Sequence, residues 1–340
     1  VSGIETLTGS ANTDVITLLN TGSTMFVSSI ETLVGGNGTD LITLTNAGNT
    51  VTVSRLETLT GGVNTDVITL GVNTSAFSGN TTFVSGIETL IGSANTDVIT
   101  LSNASSTMFV SSIENLTGGT GSDSITLDNT GSTIAVTGIE TLTGGANTDV
   151  IVFSGTTNTI VRGGAGGDLI TLSAGVSSDT VQFGSITDGA NLGGSAGFDR
   201  ITNFTTSDSI SLLSSLATSV GNGDGSISGK QTYSSVTSIS SMTWGTNELA
   251  IITTGITTSL AGATLDTASL VGDFTSNNVS TWGTWGSANG GILVLNDSTN
   301  TGVFFVKDAN SNSTIDAGDF ALLGVFTGFV IIAANSGRIS

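Results

Sequence analysis

Along the first half of the chain, apolar residues come in short runs separated by polar turns. No run is long enough for an amphipathic helix, and several alternate as half-buried strands do. The pattern is plainest at Ile139-Glu140-Thr141-Leu142, followed by the turn Thr143-Gly144-Gly145-Ala146-Asn147-Thr148 and a second run beginning Asp149-Val150-Ile151. A third run, Met25-Phe26-Val27 in one copy and Met108-Phe109-Val110 in another, leads into the next unit. Aligned on the aspartate, the unit recurs at Asp14, Asp40, Asp66, Asp97, Asp123 and Asp149, with spacings of 26, 26, 31, 26 and 26 residues. Self-similarity at a fixed period in this range is the signature of a solenoid. Three short strands per 26-residue coil predict an all-β fold, a right-handed parallel β-solenoid.

The six turns read GSANTD, GGNGTD, GGVNTD, GSANTD, GGTGSD and GGANTD. Glycine in the lead and Asn or Gly at the fourth place predict backbone with positive φ. Five extra residues around Gly71 to Gly79 predict a loop that leaves the stack unbroken. From Thr156 the period shortens. Gly163-Gly164-Ala165-Gly166-Gly167-Asp168-Leu169-Ile170 fits the nonapeptide G-G-x-G-x-D-x-U-x, and Gly194-Ser195-Ala196-Gly197-Phe198-Asp199 is a looser copy. After Leu213 the repeat ends and all three tryptophans appear, so three parts are expected: a solenoid of six units over 1–155, glycine-rich turns and closure over 156–213, and a β-rich C-terminal domain over 214–340.

On these turns, over roughly Val1 to Leu213, the chain resembles the RTX group of secreted bacterial proteins. The stretch Phe198 to Leu212 resembles the edge that closes such arrays. The resemblance implies calcium held between coils by turn carbonyls and Asp carboxylates, and export by a type I pathway. It assigns calcium-ligand roles to Asp14, Asp40, Asp66, Asp97, Asp123, Asp149, Gly163, Gly164, Gly166, Asp168 and Asp199. One departure matters: most units have one turn per 26 residues, where the family's β-roll has two in about 18. The Asn-Thr-Asp turns therefore have a metal-free alternative, stacking as dry hydrogen-bonded ladders. Glu5, Glu31, Glu57, Glu88, Glu114 and Glu140 occupy one place in every unit. One coil per repeat would set them in a row about 5 Å apart, with repulsion on the order of 1 kcal/mol per neighbour. Cations or full solvation would have to offset it.

A second calcium candidate lies near the C-terminus, where Asp308, Asn310, Asn312, Asp316 and Asp319, with Thr314 beside them, follow the ligand spacing of an EF-hand loop. Ser313 stands where that loop wants Gly, and Asp319 where it wants a bidentate Glu. A solvated Asn/Ser-rich hairpin loop is the alternative. Asn222-Gly223-Asp224-Gly225-Ser226-Ile227-Ser228 is a shorter echo, read as an ordinary turn. The apolar run from Phe320 to Ala334 is too short for a membrane helix and predicts a strand pair.

Composition narrows the function. The chain has 26 acids against 6 bases, a net charge of −20, and 37% apolar residues, so it has a core to build and is no match for nucleic acid or anionic membranes. Without His or Cys there is no His-based triad and no thiol nucleophile. Most Glu residues sit at repeat positions, and Glu248 alone lies outside them, so no active site is expected. Val1-Ser2-Gly3-Ile4 matches Val84-Ser85-Gly86-Ile87 inside a later unit, as though the chain begins within a repeat. The leading expectation is a calcium-stabilised structural protein of a Gram-negative cell surface or matrix, a surface-layer or filament subunit that assembles with itself. Head-to-tail joining of coil ends is one route, and a cell-surface polysaccharide is a further candidate partner. The alternatives are the repeat region of a large adhesin or exoenzyme and, third, an ice-binding solenoid.

Overall fold

The computed structural model describes all residues except 1–3, 46, 73–79, 190–192, 195, 218–226, 228, 238–242, 245–247, 283 and 286–289. The insertion loop at 73–79, Ser195 of the looser glycine turn and nearly all of the 222–228 echo lie outside the described residues.

Each repeat contributes three strands of different type. The Glu-Thr-Leu strands are β1 (Thr6–Thr8), β4 (Thr32–Val34), β7 (Thr58–Thr60), β10 (Thr89–Ile91), β13 (Asn115–Thr117) and β16 (Thr141–Thr143). The strands that follow the aspartate are β2 (Val15–Thr17), β5 (Asp40–Leu44), β8 (Val67–Leu70), β11 (Val98–Leu101), β14 (Ser124–Leu127) and β17 (Val150–Ser154). The Met-Phe-Val type gives β3 (Ser23–Ser28), β6 (Thr50–Ser54), β9 (Thr81–Ser85), β12 (Thr107–Ser111), β15 (Thr133–Thr137) and β18 (Ile160–Arg162). Two compact units divide the chain: Val1–Thr143 with Ile151–Thr159, and Gly144–Val150 with Ile160–Ser340.

In the first unit odd-numbered strands stack as one parallel sheet, β1-β3-β5-β7-β9-β11-β13-β15, and even-numbered strands β2 to β16 as the other. A turn therefore holds two strands. It closes in 20 residues from Thr8 to Ser28, in 17 residues from Asp40 to Glu57, and in 22 across the insertion, from Asp66 to Glu88. This corrects the 26-residue coil: one repeat makes one and a half turns, and the same strand type lands on opposite faces in successive repeats. Strands β1 to β22 (Ser209–Leu212) thus make about 11 turns in all. All three strand types carry the same code, an inward aliphatic residue flanked by outward Thr, Ser or Val. Any type stacks on any other. Leu33, Ile42, Leu59, Ile68, Leu90, Ile99, Ile125 and Leu142 are all 0% exposed, each contributing about 1.5–3 kcal/mol of hydrophobic stabilisation.

The corners differ from expectation in one respect. The fourth-place residues Asn12, Gly38, Asn64, Asn95, Gly121 and Asn147 do not have positive φ, and neither do the leading glycines, Gly9, Gly35, Gly61, Gly92, Gly118 and Gly144. The leading glycines are small because a Cβ on each would sit 1.6–1.9 Å from the carbonyl oxygen of the residue stacked on it. The left-handed residue is elsewhere, just before β4, β7, β10, β13 and β16: Ser29 (φ 52), Arg55 (φ 58), Gly86 (φ 60), Ser112 (φ 53) and Gly138 (φ 67).

In the second unit β18, β20 (Thr180–Phe183) and β22 stack on one side. On the other, β19 (Leu169–Thr171) pairs with β21 (Asp199–Thr202). The chain then adds α1 (Ser214–Ala217), β23 (Gln231–Tyr233), β24 (Thr243–Trp244), β25 (Leu249–Gly255), α2 (Thr267–Ser276), β26 (Thr284–Trp285), β27 (Gly291–Asn296), β28 (Thr301–Val306) and β29 (Phe320–Phe326). Strand β29 pairs in parallel with β21, and the same sheet continues through β28, β27, β25 and β23. The segment from 214 therefore shares a sheet with the last solenoid strands. Every residue of β27, β28 and β29 is buried. Trp244, Trp282, Phe274, Phe304 and Phe320 cluster over them with ring centroids 5.4–6.3 Å apart.

Candidate functional site

Two-strand turns give the first unit two long edges, and each carries a column of polar residues. One runs Asp14, Glu31, Asn49, Asp66, Glu88, Ser106, Asp123, Glu140 at the head of the even-numbered strands; the other, including Asp40, Glu57, Asn80, Asp97 and Glu114, heads the odd-numbered ones. Each of the first five repeat aspartates donates its backbone N–H to the next coil's Glu Oε2 at 2.7–2.8 Å. In all six turns the Asp Oδ2 accepts the N–H four residues back, at 2.6–2.9 Å. The Oδ1 of Asp66 and of Asp97 accepts both the backbone and the side-chain N–H of the Asn one coil before, Asn49 and Asn80. The Oδ1 of Asp123 takes the Ser106 N–H at 2.8 Å. Asp40 is the exception, its buried Oδ1 lacking a partner.

These columns overturn the expected row of adjacent glutamates. Because a repeat is one and a half turns, Glu5, Glu57 and Glu114 fall on one edge and Glu31, Glu88 and Glu140 on the other. Neighbours on an edge are three coils, about 14 Å, apart, beyond the screening length at physiological salt. Each step after a glutamate is a neutral Asn or Ser. The sequence signal for this spacer was the Asn or Ser ahead of each Met-Phe-Val-type strand, which a single-coil reading passes over.

In the second unit the spacing rule stops. Asp149 N–H donates to Asp168 Oδ1 at 2.8 Å, and Asp168 N–H to Asp199 Oδ1 at 3.0 Å. Three carboxylates, none more than 1% exposed, thus follow one another with no neutral step. Asp168 Oδ2 is buried without a hydrogen-bond partner. It points at Gly163: a Cβ there would lie 2.2 Å from Asp168 Oδ2 and 2.9 Å from Asp199 Oδ2. Burial, and then the charge of Asp149, pushes the Asp168 carboxyl up to about 6. Burial and the charge of Asp168 push Asp199 well above the ordinary range. The nearby Asp188 is paired with Arg162 at 3.1 Å, and the Arg200 guanidinium donates to the carbonyls of Ala261 and Gly262. Here, unlike in the six turns, the glycines do need their freedom: Gly164 has φ +101 and Gly166 φ +115.

The 308–319 loop joins β28 to β29 as a hairpin. Asp316 Oδ2 accepts the side-chain N–H of Asn310 and Asn312 at 2.8 and 3.0 Å, while Asp308 accepts the Asn312 and Ser313 backbone N–H groups. Ser311 and Ser313 both have positive φ, at 58 and 62, and Ser313 stands where an EF-hand loop would use Gly. Thr314 N–H donates to Asn312 Oδ1. Asp319 is not with this group: it is 0% exposed and turned inward, accepting from Trp282 Nε1, Ala309 N–H and Asp316 N–H at 2.8–3.0 Å.

Among the described residues no three acidic side chains close around one point as a metal cluster, and no helix is long and apolar enough to cross a membrane. The fold and its polar columns define a parallel β-solenoid protein. No family model, curated protein or solved structure matches the chain.

Proposed function

We propose that the chain is a cation-stabilised structural protein of the bacterial cell surface or extracellular matrix, secreted and self-associating. The observation that carries this reading is the unspaced Asp149-Asp168-Asp199 column. Buried, consecutive carboxylates must either keep a proton or gain compensating positive charge, and the converging Asp168 and Asp199 oxygens beside Gly163 are the hard, oxygen-only donors that calcium prefers. When bound, calcium supplies the missing positive charge. Asp168 and Asp199 would hold it, with glycine-turn carbonyls such as those of Gly144 and Gly145 close by. The hairpin loop offers a second set, Asp308, Asn310, Asn312 and Asp316, whose amide groups can present oxygen in place of nitrogen by rotation. The rest of the molecule serves as material: repetitive, with few charges along its strands and closed by hydrogen bonds at its edges.

The mode of self-association differs from the head-to-tail route. At the β21/β22 end the chain covers its own strands, β29 pairing with β21, Ile339 bridging Ile210, and Leu212 N–H reaching Ser340 O at 2.7 Å. Joining there would require displacing this cover, so lateral contact is the open route. Sedimentation and negative-stain microscopy of purified protein in millimolar calcium and in chelator test the reading. Calcium-dependent dimers, sheets or filaments support it; a monomer at every concentration in both conditions refutes it.

A further inference from the structure

The two broad faces of the first unit carry no charge, since its acids lie in the corners and edge columns. The faces are not alike. On the odd-strand face Phe26 is 55% exposed, Phe83 58%, Leu41 40% and Val98 38%; the even-strand face has only Val15 and Phe109 so exposed. Register places the odd-face side chains in rows: Phe26-Thr43-Thr60, and Leu41-Thr58-Phe83-Thr100. Beside Phe26 lies a groove of about 360 Å³ floored by Thr43, Gly61 and Gly62. Beside Phe83 lies another of about 240 Å³ lined by Thr58, Ser85 and Ser102. Each aromatic ring is thus a knob next to a hole.

We propose that this odd-strand face pairs with the same face of a second copy, phenylalanine knobs entering the partner's grooves about a two-fold axis. The proposal rests on the self-association argued above and names its surface. Three observations single out a second copy. A chain of net charge −20 repels itself along its acidic edges, so only neutral faces can approach. Knobs and grooves lie on one patch, and an isologous contact needs a patch complementary to itself. Eight strands about 4.8 Å apart and about five residues wide present roughly 600 Å² per copy, which puts a pair at the lower end of specific interfaces. The standing rings interrupt the Thr rows, which disfavours the flat contact that an ice lattice requires.

The test is sedimentation velocity on the full chain in calcium over a range of concentrations. The wild type should dimerise, F26S/F83S should weaken the dimer about tenfold or more, and F109S, on the other face, should leave it unchanged. Circular dichroism establishes that each variant is folded, as exposed positions allow. Because the chain lacks cysteine, T58C gives an independent check: under mild oxidation it should form a covalent dimer, while T141C on the even-strand face should not. A wild-type dimer unmoved by F26S/F83S overturns this surface while leaving self-association intact. A wild type that never dimerises overturns both. Ice shaping by a monomeric wild type, lost in F26S/F83S, would assign the face to ice and also overturn the proposal.

Discussion

At the scale of single residues, the repeat aspartate is a bracket that joins three coils. Asp97 accepts from Ser93 N–H within its own turn and from Asn80 before it, and donates to Glu114 after it. D97A would strand buried N–H groups and should cost about 2–4 kcal/mol, since each orphaned donor costs roughly 1–3. E114Q keeps an oxygen for the Asp97 N–H and should cost under about 1 kcal/mol. Urea midpoints separate the two, and equal losses would show that charge at the glutamate matters more than hydrogen bonding. The unspaced column behaves oppositely with pH. A carboxyl raised from 3.8 to about 6, as at Asp168, keeps its proton in the folded protein after the unfolded chain has released it. Stability of the metal-free protein must therefore fall as pH rises from about 4 to about 6, with Asp199 acting in the same direction. Asp273 and Asp297 have the other sign. Burial opposes their charge, but donors from Thr257 and Asn300 outweigh it and hold both below the ordinary range, so they lose stability only as pH falls below about 4. Thermal midpoints in chelator should decline between pH 4 and 7, and D199N should flatten that decline; a midpoint that rises over this window would contradict the column.

At the scale of elements, strand existence was legible and strand pairing was not. Ile-Glu-Thr-Leu, Asp-x-Ile-Thr-Leu and Met-Phe-Val each announce a strand with one face inward, and each forms one. Nothing in that alternation says which strand stacks on which, because register is specified only by the face that must be buried, and all three types bury the same kind of face. The coil length thus came from the identity of the repeat rather than from closure, and the glutamate row was misplaced with it. The nonapeptide at Gly163 to Ile170 was legible as a glycine-rich turn leading into a buried aspartate. The merging of Asp149, Asp168 and Asp199 into one column was not, since it depends on which coils are neighbours. The 308–319 loop was legible as an acidic turn, but burial turned Asp319 toward Trp282. That contact makes a prediction of its own. W282F removes one of the two hydrogen bonds that Asp319 Oδ2 accepts, the other coming from Asp316 N–H. It should cost about 1–3 kcal/mol as the loss of a bond to a charged group, seen as a lower denaturation midpoint. An unchanged midpoint would mean that the Trp282 to Asp319 bond is not formed in solution.

At the scale of the whole molecule, the two units are stabilised differently. The first interrupts its carboxylates with a neutral Asn or Ser after each Asp-Glu step and gives most of them N–H donors, so it is expected to depend less on metal. The second places unspaced carboxylates in its solenoid coils and holds all three tryptophans, Trp244, Trp282 and Trp285. Cation dependence should therefore appear in one unit and spare the other. The most direct measurement follows tryptophan fluorescence and far-ultraviolet circular dichroism together through thermal unfolding at pH 7, in millimolar calcium and then in excess chelator. Calcium at about 100 times its Kd adds about 2.7 kcal/mol. The tryptophan transition should accordingly fall by about 5–10 °C on chelation, while part of the strand signal unfolds at an unmoved temperature. Identical transitions in both conditions would contradict the cation-stabilised column.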